Sequence, residues 1–344
     1  MKPKDYKELL LKAVEKRCLV KDGEEPLDVP PMLVTGSPGI GKSAIVYEVC
    51  EDLGIQMKDI RLVQRDPTDL RGIPVPTPDG KARWLTSEEL PTEGRGIIFL
   101  DEITSAPPLV QAMAYQLVFD RELGEYTVPE HFYIMGAGNR LEDRAVVHRM
   151  STALNNRFVH ILLEPDVNQW IDWAFNVGIN PNIIGFIKWR GGDLLFNFDP
   201  TKSEKAFASP RTWDFAGTMM MVTPKKLLHE VLEGTVGKGA AAEFIAFLKV
   251  QTELPPLENI FNGEDFVPQK IDLKYALVSA LATRATGAKQ YNRLIEYSHK
   301  LPAEFSVLLV QMLASKGEDM VMKAPAFQGW VKEHSDVVIS RKTL

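Results

Sequence analysis

Short, almost wholly apolar runs recur through the first half of this chain: Met32–Thr35, Ile60–Gln64, Ile97–Leu100, Phe132–Ala137 and Phe158–Leu163. Apolar residues on nearly every position, rather than on alternate ones, fit strands buried on both faces, as a parallel sheet covered by helices requires. Between these runs the period lengthens to that of a helix. Tyr6–Lys16, Ala44–Leu53 and Leu109–Asp120 are predicted helices, the second with Ile45, Val46, Val49, Cys50 and Leu53 at helical spacing. After Glu164-Pro165-Asp166 the strand-type runs stop. Helical patterns follow at Asn168–Phe175, Trp213–Met221, Ala241–Val250, Lys274–Thr286, Tyr291–His299 and Phe305–Ala314, broken at Gly191-Gly192 and Leu254-Pro255-Pro256. The pattern predicts an α/β domain over residues 1–164, a helical domain over 165–255 and a helical C-terminal region over 256–344.

The junction between the first strand and the next helix carries the most specific chemistry. Gly36-Ser37-Pro38-Gly39-Ile40-Gly41-Lys42-Ser43 fits the phosphate-binding pattern G-x-x-x-x-G-K-[ST] at every required position, and Ala44 opens the helix. Glycines let successive N–H groups turn inward, and the helix adds its positive N-terminal end. Lys42 can reach the outer phosphates of a nucleoside triphosphate, and the Ser43 hydroxyl can complete the shell of a magnesium ion. The run Ile97–Leu100 ends in Asp101-Glu102. The first carboxylate suits the metal; the second stands where a general base would orient water toward the γ-phosphate. Phe132–Ala137 leads through Gly138 to Asn139, which could bond the attacking water or the γ-phosphate, or simply cap a turn. Gly136 and Gly138 lack the third glycine of a dinucleotide fingerprint. For Arg157, before the fifth run, and Arg211, in Ser209-Pro210-Arg211, spacing alone does not separate a catalytic role from a surface charge or a helix start.

Charge narrows the partners. A net charge of −6 and a pI near 5.7 argue against a surface built chiefly to hold nucleic-acid backbone. The N-terminal residues lack the apolar core of a signal peptide, and no apolar run approaches membrane-spanning length. Cys18 and Cys50 lack C-x-x-C spacing, which fits reduced, partly buried thiols in a cytoplasmic protein, and the scattered histidines give no zinc pattern.

Taken together, Gly36–Ser43, Asp101-Glu102, Asn139, Arg157 and Ser209-Pro210-Arg211 resemble the AAA+ ATPases, specifically the MoxR-type, dynein-related AAA_5-like branch. Asp66-Pro67-Thr68-Asp69-Leu70-Arg71-Gly72, Asp101 to Pro108, Gln111 and Arg121-Glu122-Leu123 support the likeness, which runs from about Leu33 to Phe215. It implies ATP and Mg2+ as cofactors, with Gly36, Ser37, Pro38, Gly39, Ile40, Gly41, Lys42, Ser43, Ala44 and Asp101 binding nucleotide and Ser43 with Asp101 serving the metal. It also implies Asn139 as sensor 1, Arg211 as sensor 2 on a helical lid over 165–255, and Arg157 as an arginine finger inserted into the neighbouring subunit's site. An always-charged planar guanidinium suits charge growing on phosphoryl oxygens.

Two departures stand out. Arg140 to Ser151 is unusually charged (Glu142, Asp143, Arg144, His148, Arg149), so Arg144 or Arg149 could share or replace the finger. The loop between Cys18 and Met32 is long, so no adenine contacts are assigned.

Two hairpins are predicted, at Arg71–Trp84 with a turn at Pro78-Asp79-Gly80, and at Leu123–His131 with a turn at Gly124-Glu125. By the resemblance they face a central pore or a client; decorated surface loops are the plainer reading. Trp170, Trp173, Trp189 and Trp213 read as core of the helical half rather than a cofactor pocket. The resulting expectation is a cytoplasmic homo-hexameric ATPase, not membrane-bound, that remodels a protein client or adaptor, which by resemblance could carry a von Willebrand factor A domain. A nucleic-acid motor and a slow nucleotide-gated scaffold are the rival classes.

Overall fold

The two-faced apolar runs hydrogen-bond into one parallel sheet. A computed structural model describes residues 1–21, 23–143, 148, 150–202 and 204–334. Its strands are β1 (Met32–Thr35), β2 (Gln56–Arg61), β3 (Ile73–Pro76), β4 (Ala82–Leu85), β5 (Gly96–Asp101), β6 (Glu122–Leu123), β7 (Tyr126–Thr127), β8 (Phe132–Gly138) and β9 (Val159–Leu162). Five of them form the sheet in the order β2-β5-β8-β1-β9, each neighbour parallel to the next. Helices α1 (Pro3–Cys18), α2 (Lys42–Leu53), α3 (Pro67–Arg71), α4 (Pro108–Asp120) and α5 (Thr152–Asn155) accompany it. This is the α/β P-loop architecture that the periodicity predicts.

Every residue of β8 is buried, as are all of β5 except its last. Leu33, Ile98, Leu100 and Ile134 share a cluster with Val110, Ala114, Leu117 and Val118 of α4. The alternate side chains, such as Val34, Phe99 and Met135, lie on the opposite face by the two-residue period of a strand, and α1 and α2 pack there. Residue pairing then decides where the site lies. Thr35 is opposite Gly138, and Leu100 is opposite Gly136, so β1, β8 and β5 end side by side.

One strand departs from the expected span. The run Ile60–Gln64 is not a strand throughout: β2 stops at Arg61, and Leu62–Gln64 forms a 3-10 turn. At the sheet edge β2 pairs only with β5, and Ile60 is its one buried residue, so the strand lacks the apolar signal of the interior. Both hairpins form where the turn residues place them, β3 against β4 and β6 against β7.

The chain divides into two compact units. Met1–Pro165 make the first, joined by a short excursion from Asp199; Asp166–Phe198 and the chain from Glu204 make the second. The second unit is helical: α6 (Val167–Val177), α7 (Pro181–Arg190), α8 (Gly192–Leu195), α9 (Pro210–Val222), α10 (Leu228–Val236), α11 (Lys238–Val250), α12 (Leu257–Phe261), α13 (Ile271–Arg284), α14 (Gly287–Ser298), α15 (Ala303–Met322) and α16 (Phe327–Glu333). One apolar cluster runs through it from Trp170 to Trp330. Trp170 and Trp213 are buried in that core, Trp173 and Trp189 pack against it, and the Trp213 indole donates to the Leu194 carbonyl at 2.6 Å. Helices α7 and α13 approach closely at Gly185, where a Cβ would fall 1.9 Å from Ser279 Oγ. Among the described residues no helix is long and apolar enough to cross a membrane.

Both cysteines are free and buried in the first unit. Cys18 Sγ donates to the Gly96 carbonyl at 3.3 Å. Burial pushes the Cys18 thiol up to about 11 and the Cys50 thiol up to about 12. Only the thiolate reacts with alkylating reagents, so raised values suppress reaction until pH climbs toward them. Mass spectrometry after brief alkylation at pH 8 should find both thiols unmodified in the native protein and both labelled after denaturation. Rapid labelling of the native form would contradict this packing.

Candidate functional site

The loop between β1 and α2 is shaped by close backbone approach. A Cβ on Gly36 would fall 2.5 Å from the Ile40 side chain and 2.8 Å from the Leu163 carbonyl oxygen. Gly41, immediately before α2, has φ +96°, a region that side chains disfavour. The loop therefore curls over the N-terminus of α2, whose first-turn N–H groups are orphan donors and favour an anion.

Adjacent strand ends supply the side chains. Lys42 Nζ donates to the carbonyls of Gly36 at 2.7 Å and Ser37 at 3.0 Å, and to Asn139 Oδ1 at 3.1 Å. Ser43 Oγ donates to Asp101 Oδ2 at 2.9 Å. Asp101 Oδ1 accepts the backbone N–H of Glu102 at 2.8 Å. Glu102 itself has φ +57°, uncommon for a residue with a side chain. Asn139 is braced from behind: its N–H donates to Thr104 Oγ1 at 3.1 Å, and that hydroxyl donates to the Asn139 carbonyl at 3.3 Å. Lys42, Ser43, Asp101, Glu102 and Asn139 thus come together at one end of the sheet, where parallel sheets bind ligands.

A second layer of the site was not assigned from sequence. The Asp143 carboxylate is buried, its side chain 1% exposed, and Arg140 meets it at 2.7 Å. Arg140 also sends Nε and its backbone N–H to Asp143 Oδ2, at 3.2 Å and 3.3 Å, and Nη2 to Ser37 Oγ at 2.6 Å. Ser37 Oγ in turn donates to Asp143 Oδ1 at 3.2 Å. These bonds hold the Arg140 guanidinium above its ordinary pKa. An arginine one residue past Asn139 and an acid three residues further on were the available signal; the partner, Ser37, is 106 residues away from Asp143 in the chain. Arg144 and Arg149, alternatives for the finger role, lie outside the described residues.

The two remaining arginines are elsewhere. Arg157 lies in the same unit but against α4, its guanidinium carbon 3.5 Å from the Phe119 ring centroid. Arg211 belongs to the second unit, in the first turn of α9. A capping box fixes that turn: the Ser209 N–H donates to Thr212 Oγ1 at 2.8 Å, and the Thr212 N–H donates to Ser209 Oγ at 3.2 Å. Such caps are worth about 1 kcal/mol. Of the hairpins, β3–β4 carries Trp84 with the Arg71 guanidinium carbon 4.4 Å from its ring centroid, and the Trp84 backbone N–H donates to Glu125 Oε1 of the second hairpin at 3.4 Å.

Known proteins bear partial likenesses to this chain. Residues 31–158 match the family described as AAA domain (dynein-related subfamily), so the chain contains an ATPase domain of the AAA type. Midasin of Giardia intestinalis is 28% identical over 155 residues, 42% of this chain but only 3% of midasin's length. Among solved structures, a mutant form of RuvB from Thermotoga maritima is 17% identical, covering 82% of this chain and 83% of its own with a TM-score of 0.42. NtrX from Brucella abortus in complex with ADP is 13% identical over 96% of this chain and 68% of its own, TM-score 0.40. The assignment rests on the domain match and on the loop geometry.

The bracing of the phosphate loop can be broken singly. Asp143→Ala removes every carboxylate acceptor that holds Arg140 beside Ser37 and leaves a partly buried guanidinium without its counter-charge. It should cost about 1–3 kcal/mol of stability and weaken nucleotide binding. Thermal unfolding and titration with a fluorescent ATP analogue measure the two effects; a variant matching the parent in both would remove Asp143 from the site.

Proposed function

We propose that this protein is a magnesium-dependent ATPase of the MoxR type that assembles as a ring, six subunits by resemblance, and spends hydrolysis on remodelling or maturing a protein partner. One observation carries the hydrolytic reading. The Ser43 hydroxyl meets Asp101 at 2.9 Å beyond the phosphate loop, and Glu102, next in the chain, is held in a left-handed conformation beside them. An acid fixed at that position is suited to orient a water toward the γ-phosphate.

Each residue then has a distinct task. The Gly36–Ser43 backbone and Lys42 hold the phosphates, with Ala44 in the first turn of α2 adding its N–H. Ser43 and Asp101, a hydroxyl and a carboxylate, are hard oxygen donors of the kind magnesium takes, and the ion would supply charge neutralisation at the β- and γ-phosphates. Glu102 accepts a proton from water as the water oxygen bonds to the γ-phosphorus. The bond from that phosphorus to the β–γ bridging oxygen breaks, and its electron pair leaves with ADP. Asn139, bonded to Lys42 and braced by Thr104, is poised to report the γ-phosphate. Arg211, fixed by its capping box, would sense nucleotide from a lid within 165–255, and Arg157 would reach the neighbouring subunit's site.

The partner assignment comes from resemblance. A client or adaptor with a von Willebrand factor A domain fits it, and the joined hairpins carrying Trp84, Arg83 and Glu125 are the surface offered to it. A cytoplasmic location accords with the reduced thiols. The net charge of −6 weighs against nucleic acid as client.

Lys42→Ala should abolish nucleotide binding or turnover, whereas Glu102→Gln should retain ATP yet slow its cleavage by about 10²–10⁴-fold. Measured ADP release at the parent rate from either variant would contradict the assignment. Mixing Arg157→Ala with Lys42→Ala subunits should recover part of the activity, because some interfaces pair an intact site with an intact finger; no recovery at any ratio would exclude action in trans. Duplex or single-stranded DNA should leave turnover unchanged across a salt series, and a steep salt-dependent stimulation would move the client class to nucleic acid.

A further inference from the structure

The way Arg157 is held differs from every other basic group of the site. Lys42 and Arg140 are held by oxygen acceptors, but Arg157 rests on aromatic faces. Its guanidinium carbon is 3.5 Å from the Phe119 ring centroid and 5.8 Å from that of Tyr115. Nη2 donates to the Tyr115 hydroxyl at 3.4 Å. The two rings stack on each other, centroids 5.8 Å apart and planes 27° from parallel. They are four residues apart on α4, hence neighbours on one helix face. Among the described residues Arg157 makes no ion pair.

Chemistry distinguishes the two ways of holding an arginine. A carboxylate would fix the side chain but satisfy its N–H edge and cancel its charge. An aromatic face binds the plane of the guanidinium through the ring quadrupole and leaves the N–H edge and the charge for another acceptor. A free arginine surrenders up to about 2 kcal/mol of rotamer entropy when a partner immobilises it; one already stacked has surrendered much of that. The ring that does this lies at the surface, Phe119 being 49% exposed. The helix beneath is rigid. Val110, Ala114, Leu117 and Val118 are core, and Gln111 Nε2 donates to the carbonyls of Ile103 at 3.1 Å and Ala106 at 3.2 Å.

We infer that Phe119, with Tyr115, is a positioning residue for hydrolysis: the pair is a platform that presents the Arg157 guanidinium, charged and without a carboxylate partner among the described residues, to a triphosphate held by an adjoining copy of the chain. The inference rests on the reading of Arg157 as the finger. A positioning residue lowers the rate of the chemical step without changing what the subunit's own phosphate loop binds.

The test uses the full-length assembled protein and variants at Phe119 and Arg157. Phe119→Ala should lower kcat about tenfold, equivalent to about 1.4 kcal/mol, with KM and ATP-analogue affinity unchanged. Phe119→Leu, which keeps apolar bulk but no π face, should behave like Phe119→Ala, and Phe119→Trp should restore the parent rate. In an Arg157→Ala background, Phe119→Ala should have no further effect. If Arg157→Ala is slow while Phe119→Ala or Phe119→Leu is normal, the platform is wrong and the finger stands. If Arg157→Ala is itself normal, both readings fall. Faster turnover in Phe119→Ala would show that the ring withholds the arginine, and an additive loss in the double variant would show that the ring acts elsewhere; either overturns the inference.

Discussion

Parallel pairing of three neighbouring strands is the constraint on which the site depends. Because β1 and β5 both pair in parallel with β8, their carboxyl ends meet at one end of the sheet, Thr35 level with Gly138 and Leu100 level with Gly136. Parallel strands need crossover helices, and those helices bury both faces; that burial is why the strands must be apolar throughout. Polar groups are then admissible only past the strand ends, where Asp101, Glu102 and Asn139 stand. Fold and chemistry are the same requirement seen from two sides: the residues that cannot enter the core are gathered at the place where the phosphate loop turns.

Gathering alone would leave the loop mobile, since a glycine-rich turn has weak conformational preference. Hydrogen bonds to neighbouring strand ends restrain it. Lys42 ties it to β8 through Asn139, Ser43 ties α2 to β5 through Asp101, and Arg140 with Asp143 ties Ser37 to the segment after β8. The third tie has the most secure anchor, because the Asp143 carboxylate is nearly free of water and charge-assisted hydrogen bonds strengthen where the dielectric is low. A site restrained this way needs little reorganisation when charge develops on the phosphoryl oxygens, which is where electrostatic catalysis gains most.

What could be read from residues alone follows how local the determining interaction is. The phosphate loop is a contiguous pattern and was legible in full; Asp101-Glu102 needed only the strand before it. The edge strand β2 was displaced because only one of its residues, Ile60, is fully buried, and the nearby apolar Leu62 and Val63 mimicked its continuation. Helix α7 gave no stripe to detect, since Ile183, Ile184, Phe186 and Ile187 are all buried and the helix is wrapped on several sides. The Ser37–Arg140–Asp143 triad and the Arg157–Phe119 stack were illegible for another reason. Each joins segments remote in the chain through side chains whose individual types are unremarked on a surface, and only the folded register brings them within reach.

Helix α4 links two of these features in one rigid body. Its N-terminal end grips the segment that follows Glu102 through the Gln111 amide, and its C-terminal half carries the rings beneath Arg157. Ile103 follows Glu102 directly, and the Gln111 amide is bonded to the Ile103 carbonyl. Close packing of the α4 face against the sheet keeps the two ends of the helix in one stiff unit. The rings that hold Arg157 are therefore mounted on the same element that is bonded to the segment after Glu102.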